Sequence, residues 1–310
     1  MISNCKVAVT SRSFSLNPVL REELLERYPN TKFNDEGRSL SGKDLIEFLW
    51  GAEKAITALE RIDEDVVAAL PELKVIGKYG VGTDMIDKAA LRKHGVRFGW
   101  TGGVNRRSVA ELTIAMMISL LRHLPYARDE VLAGRWRQIW GHELGQQQVG
   151  ILGCGHVGKE VARLLKAFGC EVIAHDLLDF PEFYAQHQIR PVSFDELVTE
   201  SDILTVHVPL DASTRGMLGE EQLRRMKPGA MLINVARGGI VDERVLKQLL
   251  QDGHIGGAAF DVFEVEPPDD MELLSLPNFM VTPHIGGSSK EAILAMGRAA
   301  IDGLDHNEIP

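Results

Sequence analysis

Cysteine is scarce. The three in 310 residues (Cys5, Cys154 and Cys170) cannot build a disulfide framework and show no metal-ligand spacing. Neither a disulfide-stapled secreted domain nor a metal centre is expected, and a reducing, cytoplasmic location is. Positive charge is also short: 34 Lys and Arg against 44 Asp and Glu leave a net charge of −10. A nucleic-acid surface needs a basic stripe, so no such partner is expected. The most apolar segment, around Ile114 to Leu121, is too short and too closely bracketed by polar residues to span a bilayer. The N-terminus lacks the basic-then-apolar pattern of a signal peptide, and no internal repeat or low-complexity tract is present. What remains is a soluble globular chain, long for one domain and comfortable for two.

One stretch organises that chain. Val149 to Leu152 is an apolar run that reads as a buried strand and stops at Gly153-Cys154-Gly155-His156-Val157-Gly158, a Gly-x-Gly-x-x-Gly pattern. A helical pattern follows at Val161, Leu164, Leu165 and Phe168. In that setting Gly153 permits the tight turn, Gly155 lets the backbone approach a pyrophosphate, and Gly158 lets the helix pack close to the strand. The helix N-terminus then faces the phosphates with free N–H groups and the positive end of its dipole. A second strand, Cys170 to Ala174, ends at Asp176, close to the distance expected of a carboxylate that binds a ribose 2′-OH. Leu177-Leu178-Asp179 offers no basic residue to a 2′-phosphate. The pattern therefore predicts NAD in preference to NADP.

Strands and helices alternate along the rest of the sequence, which implies mostly parallel sheets covered on both faces. Strands are expected at Lys6–Thr10, Ala55–Leu59, Val75–Tyr79 and Val96–Trp100, and helices from Asn17-Pro18, over Asp44–Trp50 and over Glu64–Leu70. The Gly80-Val81-Gly82 loop reads equally well as an anion-binding turn and as a plain strand-to-helix connection. A boundary falls at the glycine-rich Thr101–Asn105, giving a first domain of residues 1–103 and a second of 104–286. Ser108 with Glu111 reads as a capping box opening a helix apolar nearly all round, to be buried between domains or against another subunit. Its methionines are expected to fill core. Trp136 and Trp140 are expected to be packed rather than to face a partner. In the second domain, strands are expected over Asp202–Val206, Ala230–Val235, Gly257–Phe263 and Phe279–His284. The final helix, from Lys290, is expected to cross back, so that 287–310 completes the first domain.

In an open parallel sheet, ligands bind beyond the carboxyl ends of the strands. The polar residues immediately after strands are Asp176, His207, Arg237, Asp261, Glu266 and His284. An arginine, a carboxylate and a histidine at converging strand ends suit the oxidation of a 2-hydroxy acid. The guanidinium grips a carboxylate bidentately. The imidazole takes the hydroxyl proton, and a neighbouring carboxylate selects its tautomer and favours the imidazolium. His207 reads as a wall of the cofactor pocket.

Three segments carry a family resemblance. Asn234-Val235-Ala236-Arg237-Gly238-Gly239-Ile240-Val241-Asp242 resembles the arginine signature of the D-isomer-specific 2-hydroxyacid dehydrogenases. Asp261-Val262-Phe263-Glu264-Val265-Glu266-Pro267 resembles their glutamate signature, and Thr282-Pro283-His284-Ile285-Gly286-Gly287 their histidine signature. With the glycine fingerprint, the likeness runs from about Lys78 to Ala299. It implies an α/β protein of two doubly wound parallel-sheet domains, a flavodoxin-like substrate domain and an inserted Rossmann NAD-binding domain, with the active site in the cleft. It also implies a homodimer built on the NAD-binding domain. Arg237 would bind the carboxylate of a small acid substrate, assisted by the backbone at Val81 and Gly82. His284 would be the acid/base and Glu266 its partner. Gly153, Gly155, His156, Val157, Gly158, Asp176, His207, Val208, Pro209, Val235, Ala236, Asp261, Gly286 and Gly287 would line the NAD site, Asp261 near the carboxamide. His156 stands where the family often has arginine, Lys78 replaces a frequent arginine and Met85 a frequent asparagine. The Lys78–Asp84 loop most resembles the phosphoglycerate dehydrogenase branch, with Lys78, Arg106 and Arg107 as candidates to pair with a phosphate. No regulatory module is expected after His306. The alternative function is an NAD(H)-sensing, corepressor-like binding protein on the same scaffold.

Overall fold

The computed structural model describes residues 4–310. The chain divides into two compact units, the described residues up to Asn105 joined by Gly287–Pro310, and Arg106–Gly286. In the first, β1 (Val7–Val9), β2 (Thr31–Phe33), β3 (Lys54–Thr57), β4 (Val75–Lys78) and β5 (Arg97–Gly99) form a parallel sheet in the order β2-β1-β3-β4-β5. This is the flavodoxin-like strand order. β1 and β4 are buried along their whole length, as strands covered on both faces must be. The covering helices start where side chains take over the first free N–H groups: Asn17 accepts from Val19 and Leu20, Asp63 from Val66, and Asp87 from Ala90.

The helix Lys290–Gly303 lies directly on β4 and β5 of this unit. Its approach is so close that a Cβ at Gly77 would lie 2.4 Å from Ala300 O, and one at Gly99 2.0 Å from Gly303 O. Beyond the helix, Lys54 Nζ donates to Leu304 O at 2.6 Å and to Tyr28 OH at 2.7 Å, and Tyr28 OH in turn donates to Asp305.

The second unit carries seven strands: β6 (Gln148–Leu152), β7 (Glu171–His175), β8 (Arg190–Pro191), β9 (Ile203–Val206), β10 (Met231–Asn234), β11 (Gly257–Phe260) and β12 (Phe279–Val281). All are parallel, in the order β12-β11-β10-β9-β6-β7-β8, so the winding reverses between β6 and β9. That is the doubly wound arrangement, with its ligand crevice at the reversal point.

Several local expectations change. The apolar helix begins at Arg106, two residues before Ser108, whose hydroxyl donates to Gly286 O at 2.6 Å instead of capping; Glu111 pairs with Arg107. The helix finds its cover inside its own unit, against the helix His156–Phe168 and the sheet, with Met116 and Met117 in the core. The helices Lys88–His94, Leu124–Leu132 and Pro181–His187 carry too few apolar residues to stand out by periodicity; each buries only one or two side chains. Trp136 and Trp140 are not packed: they are 87% and 90% exposed. Among the described residues no helix is long and apolar enough to cross a membrane.

The helix-on-strand contact at Gly99 sets a sharp test of this architecture. Gly99→Ala is expected to lower the unfolding free energy by about 1–3 kcal/mol, the usual cost of overpacking. Urea titration of the circular dichroism signal reads it, and an unchanged midpoint would remove the close approach to Gly303.

Candidate active site

Every strand of the second unit ends on the same edge of the sheet, and the turns there hold the candidate residues. β6 runs into Gly153, whose φ of +93° is left-handed backbone that glycine adopts without strain. The turn presses against the neighbouring strand end: a Cβ at 153 would lie 2.8 Å from His207 C and from Val208 N. Gly158 is pinned more tightly, since a Cβ there would come within 2.1 Å of Gly153 O. Gly155 differs, because a Cβ on it would meet nothing within 4 Å. Gly155 is also the N-cap of the 13-residue helix His156–Phe168 and provides no side-chain cap. An uncapped helix start beside open space is the cradle a pyrophosphate needs.

Asp176 braces that cradle. One carboxylate oxygen accepts from Cys154 N–H at 2.6 Å and the other from Leu178 N–H at 2.8 Å, which orients the group beside the glycine turn. Cys154 is fully buried, and desolvation pushes its thiol up to about 11, so it stays protonated. At the end of β9, burial pushes the His207 imidazole down to about 3, although part of the residue remains accessible. A neutral ring, 3.0 Å from the Thr205 hydroxyl, suits a pocket wall. Val208 is half-buried and Pro209 exposed beyond it, while His156 is exposed at the helix start and Val157 half-buried. These residues fit a dinucleotide.

β10, β11 and β12 present the second group. Asn234, wholly buried at the end of β10, brackets the next turn: its Oδ1 accepts from Ala236 N–H at 3.1 Å and its Nδ2 donates to Arg237 O at 2.9 Å. Val235 is buried, Ala236 half-buried, and Arg237 Nη1 donates to Ala236 O at 2.7 Å. Gly238 lies against the Glu266 segment, for a Cβ there would reach 1.9 Å from Phe263 C. The turn carrying Arg237 and the segment carrying Glu266 are thus in backbone contact. Glu266 Oε1 accepts from Phe263 N–H at 3.1 Å, and Glu266 Oε2 lies 2.8 Å from His284 Nδ1. Both side chains of this pair are more than one-third exposed, at 36% and 39%.

His284 does not continue β12, which ends at Val281; it stands in the following loop with a φ of +53°, a conformation uncommon outside glycine. Asp261 explains how the loop tolerates it. Only 2% exposed, Asp261 accepts from Thr282 Oγ1 at 2.5 Å and from Ile285 N–H at 2.7 Å on one oxygen, and from Gly286 N–H at 2.7 Å on the other. Three hydrogen bonds offset the cost of burying a charge. A Cβ at Gly286 would stand 3.0 Å from that carboxylate, a tight fit that glycine relieves. Thr282, to which the sequence signalled no role, is one of the donors. Asp261 itself is legible as a polar residue after a strand, but its partners are not, because they come from the next strand.

The remaining candidates belong to other segments. Val81 and Gly82 are half-exposed in the loop after β4 of the first unit, where Val81 O accepts from Trp100 Nε1 at 3.0 Å; Gly287 begins that unit's second segment. Lys78 is buried, donating to Ala58 O at 2.7 Å and Tyr79 O at 3.0 Å, so its ammonium is spent on backbone carbonyls and not presented to a phosphate. Arg107 is exposed and pairs with Glu111 and Glu160. Arg106 is exposed. No group of three or more metal-ligating side chains occurs among the described residues.

Residues 114–286, more than half of the chain, match the family model described as D-isomer specific 2-hydroxyacid dehydrogenase, NAD binding domain. The D-3-phosphoglycerate dehydrogenase of Bacillus subtilis is 41% identical over 241 residues, 77% of this chain and 46% of that protein. A glycerate dehydrogenase of Methylorubrum extorquens is 38% identical over 275 residues, 85% of each chain. The crystal structure of D-lactate dehydrogenase from Aquifex aeolicus, complexed with NAD and lactic acid, is similar with a TM-score of 0.86 at 27% identity, over 97% of this chain and 94% of that one. The chain spans about half the length of the phosphoglycerate dehydrogenase and most of the length of the glycerate dehydrogenase.

The loop after β12 is the part of the site most dependent on one side chain. Asp261→Asn turns an acceptor into a donor facing at least one N–H, so about 1–3 kcal/mol of stability is expected to be lost. Hydrogen exchange at Ile285 and Gly286 should accelerate with it; protection equal to the parent protein would show that the carboxylate does not hold the loop.

Proposed function

The chain belongs to the D-isomer specific 2-hydroxyacid dehydrogenases, with NAD as the cofactor of its larger unit, and we propose that it moves hydride between nicotinamide and C2 of a small D-2-hydroxy acid or 2-keto acid. The observation that carries this reading is the 2.8 Å contact between His284 Nδ1 and Glu266 Oε2. A carboxylate on Nδ1 makes that nitrogen the donor and leaves Nε2 to the substrate oxygen. Nε2 takes the hydroxyl proton in oxidation and returns it to the carbonyl oxygen in reduction. Glu266 holds the ring by its Nδ1 edge in either direction. Bound NAD supplies the hydride acceptor at nicotinamide, and its reduced form the donor.

Arg237 is assigned to the substrate carboxylate. Its planar guanidinium binds a carboxylate through two parallel hydrogen bonds and so fixes the face that C2 presents. The Val235–Arg237 turn is stiffened by the two Asn234 hydrogen bonds, which suits a residue that must orient as well as bind. Gly153, Gly155 and Gly158 with His156 and Val157 are assigned to the pyrophosphate, Asp176 to the adenosine ribose, and His207, Val208, Pro209, Val235, Ala236, Asp261, Gly286 and Gly287 to the pocket walls. The relatives named for 3-phosphoglycerate and glycerate make three-carbon acids the first substrates to test.

A homodimer built on the larger unit is part of the same reading. Leu124, Val131, Leu132, Trp136 and Trp140 stand exposed together along one stretch of it. That stretch is held in shape, because the Arg135 and Arg137 guanidiniums bind the Glu130 carboxylate and bring it down to about 2. Ordered apolar side chains facing outward are what a second copy would cover. The cytoplasm is the assigned compartment, in keeping with the buried thiols of Cys154 and Cys170.

Steady consumption of NADH with a panel of 2-keto acids, or its formation from NAD with phosphorylated D-hydroxy acids, tests the proposal; tight NADH binding without turnover of any acid would point to a sensor instead. Arg237→Ala is expected to raise the KM for the acid by roughly 10–100-fold, the loss of charge-assisted hydrogen bonds, with little change in NADH affinity. An unchanged KM removes it from the carboxylate. His284→Ala should lower kcat by roughly two to four orders of magnitude, read in the same assay.

A further inference from the structure

Glu266 sits in an irregular segment that follows β11 with no helix or strand of its own. Such a segment holds a side chain only as firmly as its backbone polar groups are tied down. Two ties are already described or local: Glu266 itself accepts from Phe263 N–H, and Asp261 N–H donates to Asn234 O at 3.0 Å. A third comes from outside the segment. Glu264 N–H donates to Oε1 of Glu243 at 2.9 Å. Glu243 is the first residue of the helix Glu243–Gln251, capped by Asp242, which follows the turn containing Arg237 and Gly238. Gly238 touches the same peptide unit, since a Cβ there would lie 2.0 Å from Phe263 O and 2.2 Å from Glu264 N. The Phe263–Glu264 peptide is therefore packed against the arginine turn by Gly238 and hydrogen-bonded to the helix behind that turn by Glu243.

We propose that Glu243 is a positioning residue for the Glu266–His284 pair, fixing through Glu264 N–H the peptide from which Glu266 is held and coupling the Arg237 segment to it. This rests on the reading of His284 as the acid/base. The side chain acts as an acceptor and not as a charge. Burial raises its carboxyl, and Glu264, Asp270 and Asp242 push the same way. Against these, the Glu264 N–H bond favours the carboxylate, so at this half-buried position the hydrogen bond is the contact that offsets the like charges. The competing explanation is a negative charge at a helix N-terminus, which would stabilise the helix whatever the side chain touched.

Two variants separate these. Glu243→Gln keeps the acceptor and its reach but removes the charge. Glu243→Asp keeps the charge at the helix start and shortens the reach by one methylene. Positioning predicts that Glu243→Asp lowers kcat by about tenfold, the scale for a small displacement of a catalytic group, while Glu243→Gln keeps the parent kcat. KM for the acid and the NADH Kd, read by fluorescence quenching, should stay within about threefold in both. The ¹⁵N amide signal of Glu264 should move in Glu243→Asp and hold in Glu243→Gln. If Glu243→Asp does not purify folded, Glu243→Asn, of the same reach, takes its place and is compared with Glu243→Gln. A parent-like kcat in the shortened variant, or an equal loss in Glu243→Gln, overturns the proposal. Should no acid be turned over at all, the active-site reading fails separately; the His284 Nδ1 proton signal in the shortened variant then decides the matter, displaced if Glu243 positions the pair and unmoved if it does not.

Discussion

All seven strands of the larger sheet run parallel, so each hands its chain to a turn on the same edge, where backbone groups no longer find partners in the ladder. That single constraint gathers residues far apart in sequence. Asp176, His207, Arg237, Asp261 and His284 all stand just beyond strand ends, and the reversal of winding between β6 and β9 opens the crevice among them. Orphaned turn groups must be satisfied by something, and here buried polar side chains do so: Asn234 for the arginine turn, Asp261 for the histidine loop, Asp176 for the glycine turn.

Carboxylates divide the task of placing His284. Glu266 engages the ring, at a contact open enough to water that its Coulombic strength is modest, and its use lies in direction: it settles which ring nitrogen donates. Asp261 engages the loop, out of water, where two backbone N–H groups and the Thr282 hydroxyl converge and hydrogen bonds are at their strongest. The partner on the ring is open to solvent, while the one that holds the loop is buried. The left-handed backbone at His284 persists because the surrounding loop determines it more than once over.

Glycine supplies the counterpart. Gly153, Gly158 and Gly238 each allow one stretch of backbone to touch another at a distance no Cβ could share, and Gly286 leaves room beside the Asp261 carboxylate. Gly155 alone in the fingerprint faces open space, where the proposed pyrophosphate position falls.

Much of this was legible beforehand. Apolar runs ending at polar residues marked the strands and their carboxyl ends, the glycine spacing marked the dinucleotide turn, and three segments carried the family likeness. Elements with thin apolar faces, such as Lys88–His94 and Leu124–Leu132, left no periodic trace. Ser108 looked like a cap because local spacing matched one, yet a carbonyl 178 residues away claimed its hydroxyl. Trp136 and Trp140 looked like packing residues because aromatic bulk usually is, and nothing local shows that Glu130 and its arginines hold their segment outward. By itself, then, the sequence determined which polar residues follow the strands and on which edge they stand, since strand direction and residue type are local properties. Only the tertiary structure decided what holds them: Asp261 to the loop of His284, Gly238 and Glu243 to the segment of Glu266, and Lys78 to carbonyls instead of a phosphate. Those contacts join separate strands, and the partner of a hydrogen bond is set by which strand ends the fold places side by side.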